Sequence, residues 1–175
     1  IGAFAFYNCS ALSEVNISDI DGWCETAFGN EIANPMYYAE KIYINGAPIR
    51  NLVISEGVTN ITKYAFYGVD KLESITLPST IRAIERYAFY GCSSLKAIAF
   101  GKAVTELGEF AFGGCNSLAD VTLGDGLIKI GESCFKSCNS ITSLTLPDTV
   151  EEIGDRAFES CINLKSIYFS DNLKS

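Results

Sequence analysis

The amino-acid sequence predicts an α/β repeat fold, a right-handed solenoid with a parallel β-sheet on its concave side and short helical or 3-10 turns on its convex side. Two observations lead to this prediction. A motif of 23 residues recurs along the chain, and apolar residues occupy the same positions in every copy. Because a unit of this size cannot bury its own apolar side chains, neighbouring copies must stack and share one continuous core.

Six regular blocks of the motif and one irregular unit account for all 175 residues. The regular blocks are residues 1–23, 61–83, 84–106, 107–129, 130–152 and 153–175, and the irregular unit is residues 24–60. We therefore expect a single repeat domain over residues 1–175. The chain opens at Ile1, inside the pattern and without an initiator methionine, so we expect it to be a fragment of a longer protein.

Each regular block divides into a turn segment and a short strand. The segment from position two to position eight is too short for an isolated helix, so we expect one helical or 3-10 turn there. A phenylalanine at position six holds that turn in the core: Phe6, Phe66, Phe89, Phe112, Phe135 and Phe158. Apolar residues at positions fifteen and seventeen, such as Leu144 and Leu146, predict a strand with one buried face. Proline or glycine often follows at position eighteen and ends the strand.

The irregular unit contains the signal for a β-hairpin. Residues 42–44 and 49–54 are rich in apolar residues, and Asn45-Gly46 lies between them. Asn-Gly favours a type I′ turn because both residues tolerate positive φ. We expect this hairpin to add an extra strand beside the repeat strand that includes Leu52 and Ile54.

The recurring pattern LxxIxLPxxVxxIGxxAFxxC closely resembles the BspA-like leucine-rich repeat family over essentially the whole chain. Residues 34–61, NPMYYAEKIYINGAPIRNLVISEGVTNI, are similar to the NP-xYA-xxxYxNG insertion of that family. The resemblance implies a leucine-rich-repeat solenoid in a bacterial or protist protein at the cell surface or outside the cell. It also implies macromolecular ligands, such as host matrix components or neighbouring cells, and it transfers no binding residue.

Composition and charge narrow the classes of function. The formal net charge of −8 argues against nucleic acid or anionic lipid as a partner. The sequence has no histidine, the usual general base and the commonest transition-metal ligand. No apolar run is long enough to cross a membrane, and no signal peptide opens the sequence. We expect a protein that is not an enzyme, uses no cofactor and does not insert into a membrane.

The cysteines follow the repeat. Position nine is cysteine in five regular blocks and Val69 in the sixth: Cys9, Cys92, Cys115, Cys138 and Cys161. Cys134 stands at position five, where the other regular blocks have alanine. These substitutions predict buried free thiols that fill small apolar sites. Disulfides between stacked positions about 5 Å apart and a metal site are the alternatives, and Cys24 has no assignment.

Two surfaces are candidates for ligand binding. The first is the exposed face of the sheet, at positions fourteen and sixteen: Thr76, Asp120, Thr122, Ser143, Thr145 and Tyr168. A solvated face that only favours strand formation is its alternative. The second surface is aromatic, at positions four and seven: Tyr64, Tyr67, Tyr87 and Tyr90, together with Phe4, Tyr7 and Phe110. It is either the edge of the core or an exposed patch for protein or glycan contact.

The function expected from these features is a non-catalytic adhesion or protein–protein interaction module with a protein or glycan ligand. A structural spacer that presents other domains is the alternative. Aspartates at position nineteen, among them Asp125, Asp148 and Asp171, raise calcium binding as a further alternative. The last block exposes apolar positions near Leu173, so we also expect end-to-end self-association or fraying there.

Overall fold

Each regular block forms one coil of a parallel-strand solenoid, and the computed structural model describes residues 1–169 of the chain. The strands are β1 (Glu14–Ile17), β2 (Lys41–Ile44), β3 (Ala47–Pro48), β4 (Asn51–Val53), β5 (Asn60–Ile61), β6 (Ser74–Thr76), β7 (Ala83–Ile84), β8 (Ala97–Ala99), β9 (Glu106–Leu107), β10 (Asp120–Thr122), β11 (Lys129–Ile130), β12 (Ser143–Thr145), β13 (Glu152–Ile153) and β14 (Ser166–Tyr168). One α-helix, α1 (Ile20–Cys24), and two 3-10 helices, Glu31–Ala33 and Pro35–Tyr37, lie at and within the irregular unit.

Two ladders of parallel strands connect the coils. In the strands that the sequence assigns to the concave side, β4, β6, β8 and β10 form a four-stranded sheet, and β12 pairs with β14. The two-residue strands β5, β7, β9, β11 and β13 form a second, five-stranded sheet where one block meets the next. Paired residues are one repeat apart, as in Leu52 with Ile75 and Ile61 with Ile84. The register therefore equals the sequence period, and side chains at one position align along the solenoid.

The core is one continuous apolar cluster built around the phenylalanines of position six. Phe66, Phe89, Phe112 and Phe135 are completely buried. Their rings stack from coil to coil, with centroids 5.1 Å apart for Phe66 and Phe89 and 5.7 Å apart for Phe135 and Phe158. In β4, β8 and β12 a buried residue lies between two exposed ones, which confirms the predicted alternation.

The turn segments differ from the single helical turn expected of them. In the regular blocks of the described chain, the residues at positions four and eight have positive φ, as in Tyr87 (57°) and Gly91 (75°). The Ala88 N–H donates within its turn to Glu85 O at 3.1 Å, whereas the Phe89 N–H donates to Ala111 O of the next coil at 2.8 Å. Left-handed residues interrupt a right-handed helix. Alternate N–H groups of each turn can therefore donate to backbone carbonyls of the neighbouring coil.

Most cysteine side chains lie inside the stack, as predicted. Cys92, Cys115, Cys138 and Cys161 are buried, and each thiol donates to the phenylalanine carbonyl of the preceding coil at 3.1–3.3 Å. Cys134 and Cys24 are also buried, and all seven cysteines are free thiols. The prediction is wrong for Cys9, which is exposed. Among residues 1–169, Cys9 is the position-nine cysteine whose thiol does not bond to a phenylalanine carbonyl of a neighbouring coil.

The hairpin of the irregular unit forms, but its extra strand lies elsewhere. β2 and β3 pair antiparallel around Asn45 (φ 50°) and Gly46 (φ 79°), which confirms the Asn-Gly turn. The expectation that the extra strand lies beside Leu52 is wrong. β2 pairs in parallel with β1, and the chain bends after Pro48 so that β4 pairs with β6. The irregular unit therefore contributes one strand to each neighbour.

Side chains attach the irregular unit to the block that follows it. Asn34 is fully buried, and its Nδ2 donates to Tyr64 O at 2.6 Å and to Ala65 O at 3.1 Å. Trp23, the last residue of block 1–23, adds a second bond across the irregular unit, since its Nε1 donates to Ala65 O at 2.8 Å. In a regular pair of coils a backbone N–H fills this role, since Phe66 N donates to Ala88 O. Side-chain donors thus satisfy carbonyls that an irregular backbone does not reach.

The last described coil exposes large apolar side chains: Ile162, Tyr168 and Phe169 are 76%, 61% and 57% exposed. The part of the self-association prediction that concerns Leu173 lies outside the described residues. End-to-end association therefore stays a prediction.

Candidate binding surfaces

The exposed face of the concave sheet carries all six residues that the sequence singled out there. Thr76, Asp120, Thr122, Ser143 and Thr145 are exposed, and Tyr168 is 61% exposed. Their direction follows from the strand period of two, because the buried residue between each pair anchors the strand to the core. Although all six residues lie on the same face, they are not all close to one another.

An interruption of the concave sheet brings four of them together. Within the described residues, β10 pairs with β8 and β12 pairs with β14, but β10 and β12 do not pair with each other. A cleft of about 400 Å³ lies at this point and is lined by residues of both strands. Asp120, Thr122, Ser143 and Thr145 line it, whereas Thr76 and Tyr168 do not. We call this the concave cleft.

The coils remain connected on either side of the concave cleft. β9, β11 and β13 continue without a break through the same two blocks. Ser140 Oγ donates to Asn116 O at 2.7 Å, so a hydroxyl bridges these two coils close to the interruption. The break is therefore local to the concave strands, and it leaves two strand edges facing each other.

The chemistry of the concave cleft is that of hydrogen bonding. Its polar side chains are the hydroxyls of Thr122, Thr142, Ser143 and Thr145 and the carboxylates of Asp120 and Asp125. No lysine or arginine lines it. Unpaired strand edges add backbone donors and acceptors of the kind that extended peptides bind. The cleft can hold an extended, basic segment by hydrogen bonds and charge.

The aromatic surface forms two columns. At position four, the Tyr64, Tyr87 and Phe110 rings lie nearly parallel, with centroids 5.4 and 4.9 Å apart. At position seven, Tyr67 and Tyr90 lie 5.1 Å apart. Rings of different columns are inclined, by 59° between Tyr64 and Tyr67 and by 69° between Tyr87 and Tyr90. All five rings are half-buried, so the surface is both an edge of the core and accessible to solvent.

The two columns are the walls of a trough of about 370 Å³, which also includes Glu31 and Arg86. We call it the tyrosine trough. Arg86 lies 5.0 Å from the centre of the Tyr87 ring and 3.1 Å from Glu109, so its charge is already balanced. Burial raises the pKa of Tyr64 and raises the pKa of Tyr67 to about 12. These phenols therefore stay neutral at physiological pH.

Phe4 and Tyr7 do not belong to the trough. They are 58% and 67% exposed and contact one another, with centroids 6.0 Å apart. Tyr37, from the irregular unit, instead lies 6.2 Å from Tyr67 and extends the position-seven column. Sequence spacing alone did not reveal this neighbour, because the irregular unit has its own length.

A third cavity, of about 180 Å³, lies between the hairpin and block 61–83. Its walls include Lys41, Tyr43, Arg50, Asp70 and Lys71. The repeat pattern contains no signal for it, since one wall is a non-repeating segment. The only indication in the sequence is the irregular unit itself.

Within residues 1–169, no group of three or more cysteine, aspartate or glutamate side chains is placed to hold a metal ion. The calcium alternative included Asp171, which lies outside that range. None of the helices in the same part of the chain has the length and apolar character needed to cross a membrane.

Comparisons with known proteins agree with the repeat pattern. A model of the BspA type leucine rich repeat region matches six copies, over residues 1–35 and 37–165. A leucine-rich repeat protein of T. pallidum is 34% identical with a TM-score of 0.65, over 69% of this chain and 61% of that one. Comparison with curated proteins gives no match.

Two further solved structures are similar. The pneumococcal vaccine antigen PcpA is 25% identical with a TM-score of 0.59, over 67% of this chain and 29% of that one. A leucine-rich repeat protein from Eubacterium ventriosum is 20% identical with a TM-score of 0.71, over 93% of this chain and 50% of that one, and shows the fold alone. The chain spans less than two thirds of each of these proteins. Because the repeat match covers nearly the whole sequence and the coils follow the same period, the chain belongs to the BspA-type leucine-rich repeat family.

Proposed function

We propose that this chain is a non-catalytic binding module of a cell-surface or secreted protein, and that it holds an extended segment of a protein ligand in the concave cleft. The interruption between β10 and β12 is the observation that carries the proposal. It combines two unpaired strand edges with a cluster of hydroxyls, between coils that the second sheet still connects. Extended concave surfaces are the usual binding surfaces of solenoids.

Charge defines the ligand more closely. Asp120 and Asp125 are the charged residues that line the cleft, and both are acidic. The whole chain has a formal net charge of −8, which adds long-range attraction for basic partners. The proposed ligand is therefore an extended segment that contains lysine or arginine. Host matrix proteins and proteins of neighbouring cells are the proposed sources.

The proposed location draws on the relatives. The pneumococcal protein is a vaccine antigen, which supports an exposed position for members of this kind. The family resemblance also favours the cell surface or the extracellular space. This chain spans only part of the length of its relatives. The partners of the whole protein are therefore proposed as well.

The test is binding of the purified chain to immobilised matrix proteins and to basic peptides derived from them. We expect saturable binding that the double substitution Thr122→Arg/Thr145→Arg weakens by at least about tenfold, since two cations would repel a basic ligand. Thr76→Arg is the matched control, because Thr76 shares the sheet face but does not line the cleft. Binding that survives the double substitution would move the site elsewhere. Absence of any binding would favour the structural spacer.

A further inference from the structure

The tyrosine trough shares no residue with the concave cleft. We propose that it is a second binding site, which takes a neutral, linear, β-1,4-linked glycan whose successive sugar rings lie along the two aromatic columns. This inference does not depend on the protein ligand proposed for the concave cleft.

The spacing of the rings favours a glycan. Along the columns, neighbouring rings are 4.9–5.4 Å apart. This distance is comparable with the length of one pyranose ring in an extended β-1,4-linked chain. An extended peptide advances about 3.3 Å per residue, and a polyproline II helix about 3.1 Å per residue. Neither peptide repeats in step with the rings, which stack on one another within each column and so present their edges and hydroxyls to a ligand.

The polar groups of the trough also fit sugar hydroxyls. Tyrosine combines an apolar ring with a hydroxyl that both donates and accepts hydrogen bonds. The ordinary pKa of tyrosine lies near 10 and burial raises that of Tyr67 further, so the hydroxyl is protonated at neutral pH and can both donate and accept. Sugars offer the same combination of apolar ring faces and hydroxyls, whereas proline-rich peptides offer mainly acceptors.

The charges of the trough argue for a neutral ligand. Its two charged residues, Glu31 and Arg86, have opposite sign. The guanidinium of Arg86 is also paired with Glu109 at 3.1 Å. Because Glu109 already balances Arg86, the carboxylate of Glu31 leaves the trough acidic, which disfavours a uronic acid and favours a neutral sugar among glycans. The two charged side chains can also hydrogen-bond to neutral hydroxyls at the rim.

The trough has a defined length. In block 130–152, positions four and seven hold Ser133 and Lys136, so the aromatic wall ends at Phe110. At the other end, Tyr37 lies beside Tyr67 and adds one ring. The position-four column thus has three rings, and the position-seven column has three with Tyr37. We therefore expect affinity to rise with glycan length up to three or four sugars and then to level off.

The experiment titrates the 175-residue chain with β-1,4-linked oligosaccharides of glucose, mannose, xylose and N-acetylglucosamine, using calorimetry and NMR. Maltohexaose, whose α-1,4 linkage curves the chain, and a decaproline peptide are the comparison ligands. The test variant is Tyr87→Ser/Tyr90→Lys, which copies the residues of block 130–152, where Ser133 has the same left-handed φ of 52°. We expect at least one β-1,4-linked series to bind and the variant to bind at least about tenfold more weakly.

Controls make the result decisive. Thr122→Arg/Thr145→Arg should leave glycan binding unchanged, which separates this site from the concave cleft. If thermal unfolding shows that Tyr87→Ser/Tyr90→Lys does not fold, Tyr67→Phe/Tyr90→Phe decides, because it removes hydroxyls and keeps the rings. Either variant with unchanged affinity would overturn the proposal. So would failure of all four series to bind at millimolar concentration, or binding of decaproline in their place.

Discussion

The rings of Phe66 and Phe89 lie parallel, at an angle of 3° and with centroids 5.1 Å apart, although 23 residues of chain separate them. The same stacking recurs from Phe89 to Phe158, so each of these coils places a ring against the ring of its neighbour. Phe89, Phe112 and Phe135 each have one ring above and one below, so the middle coils depend on both neighbours. The stability of the fold should therefore vary with position in the stack.

We expect Phe112→Ala to destabilise the chain more than Phe158→Ala. Phe112 is completely buried between Phe89 and Phe135, whereas Phe158 is half-buried in the last described coil. Removing a buried phenylalanine typically costs about 3–5 kcal/mol because it leaves a cavity. Urea unfolding of both variants measures the difference. Equal losses would contradict the expectation that burial between two neighbouring rings sets the cost.

We expect one thiol per native chain to react with Ellman's reagent at pH 8. Cys9 is exposed, and the other six cysteines are buried. Burial raises the pKa of the Cys24 thiol to about 12 and raises the pKa of Cys92 still further, so the reactive thiolate is scarce at pH 8. Cys9→Ser should abolish the reaction of the native protein. Rapid labelling of two or more thiols would show that the stack opens.

Residues at position eight have positive φ, so substitutions there should have opposite effects on stability in two blocks. Gly91 has φ 75°, and a Cβ added there would meet Gly68 at an ordinary distance of 3.6 Å. Gly91→Ala should therefore cost about 1 kcal/mol, through backbone strain alone. Ser137 has φ 61° at the same position, so Ser137→Gly should remove a similar strain. Thermal unfolding of the two variants shows whether each substitution raises or lowers stability. A Gly91→Ala variant that is more stable than the unchanged protein would contradict the left-handed conformation of Gly91.

We expect Asn34→Ala to loosen the irregular unit. The substitution removes the Nδ2 donor from Tyr64 O and Ala65 O, and it removes the Oδ1 acceptor from Met36 N. Ala65 O keeps the Trp23 Nε1 donor, and Tyr64 O keeps the Tyr67 N–H. The buried Met36 N–H is therefore the group that loses its partner, at a cost of about 1–3 kcal/mol. Hydrogen exchange should become faster in residues 24–60 while residues 84–152 keep their protection. Asn16→Ala, at an exposed site on β1, is the control and should change neither region.

The sequence anticipates much of this fold because a repeat encodes its own neighbours. Position six is phenylalanine in every regular block, and from Phe66 to Phe158 these rings stack from coil to coil. The pair Asn45-Gly46 specifies its turn locally, since both residues must adopt positive φ. The exposure of Thr122 and Thr145 follows from alternation around Leu144 and Val121. Each of these features depends only on local conformation and the period of 23 residues.

Other features depend on what lies next to a residue. Cys9 and Cys92 share a block position, yet Cys9 is exposed, whereas Cys92 is buried and bonds to Phe66 O of the neighbouring coil. Residue spacing did not reveal that β2 joins β1, since that pairing depends on how the helical segments bring the chain back. The left-handed φ of Tyr87 is equally hidden, because tyrosine seldom adopts it without a fold that requires it.

The sequence by itself determined the repeat, its period, the buried face of each strand and the family. Periodic apolar side chains suffice for that, since stacking is the only way in which units of 23 residues can bury them. Only the tertiary structure decided where the concave sheet breaks between β10 and β12, and how Tyr64, Tyr67, Tyr87 and Tyr90 combine into one trough. Both depend on distances between coils, which arise from packing along the whole stack.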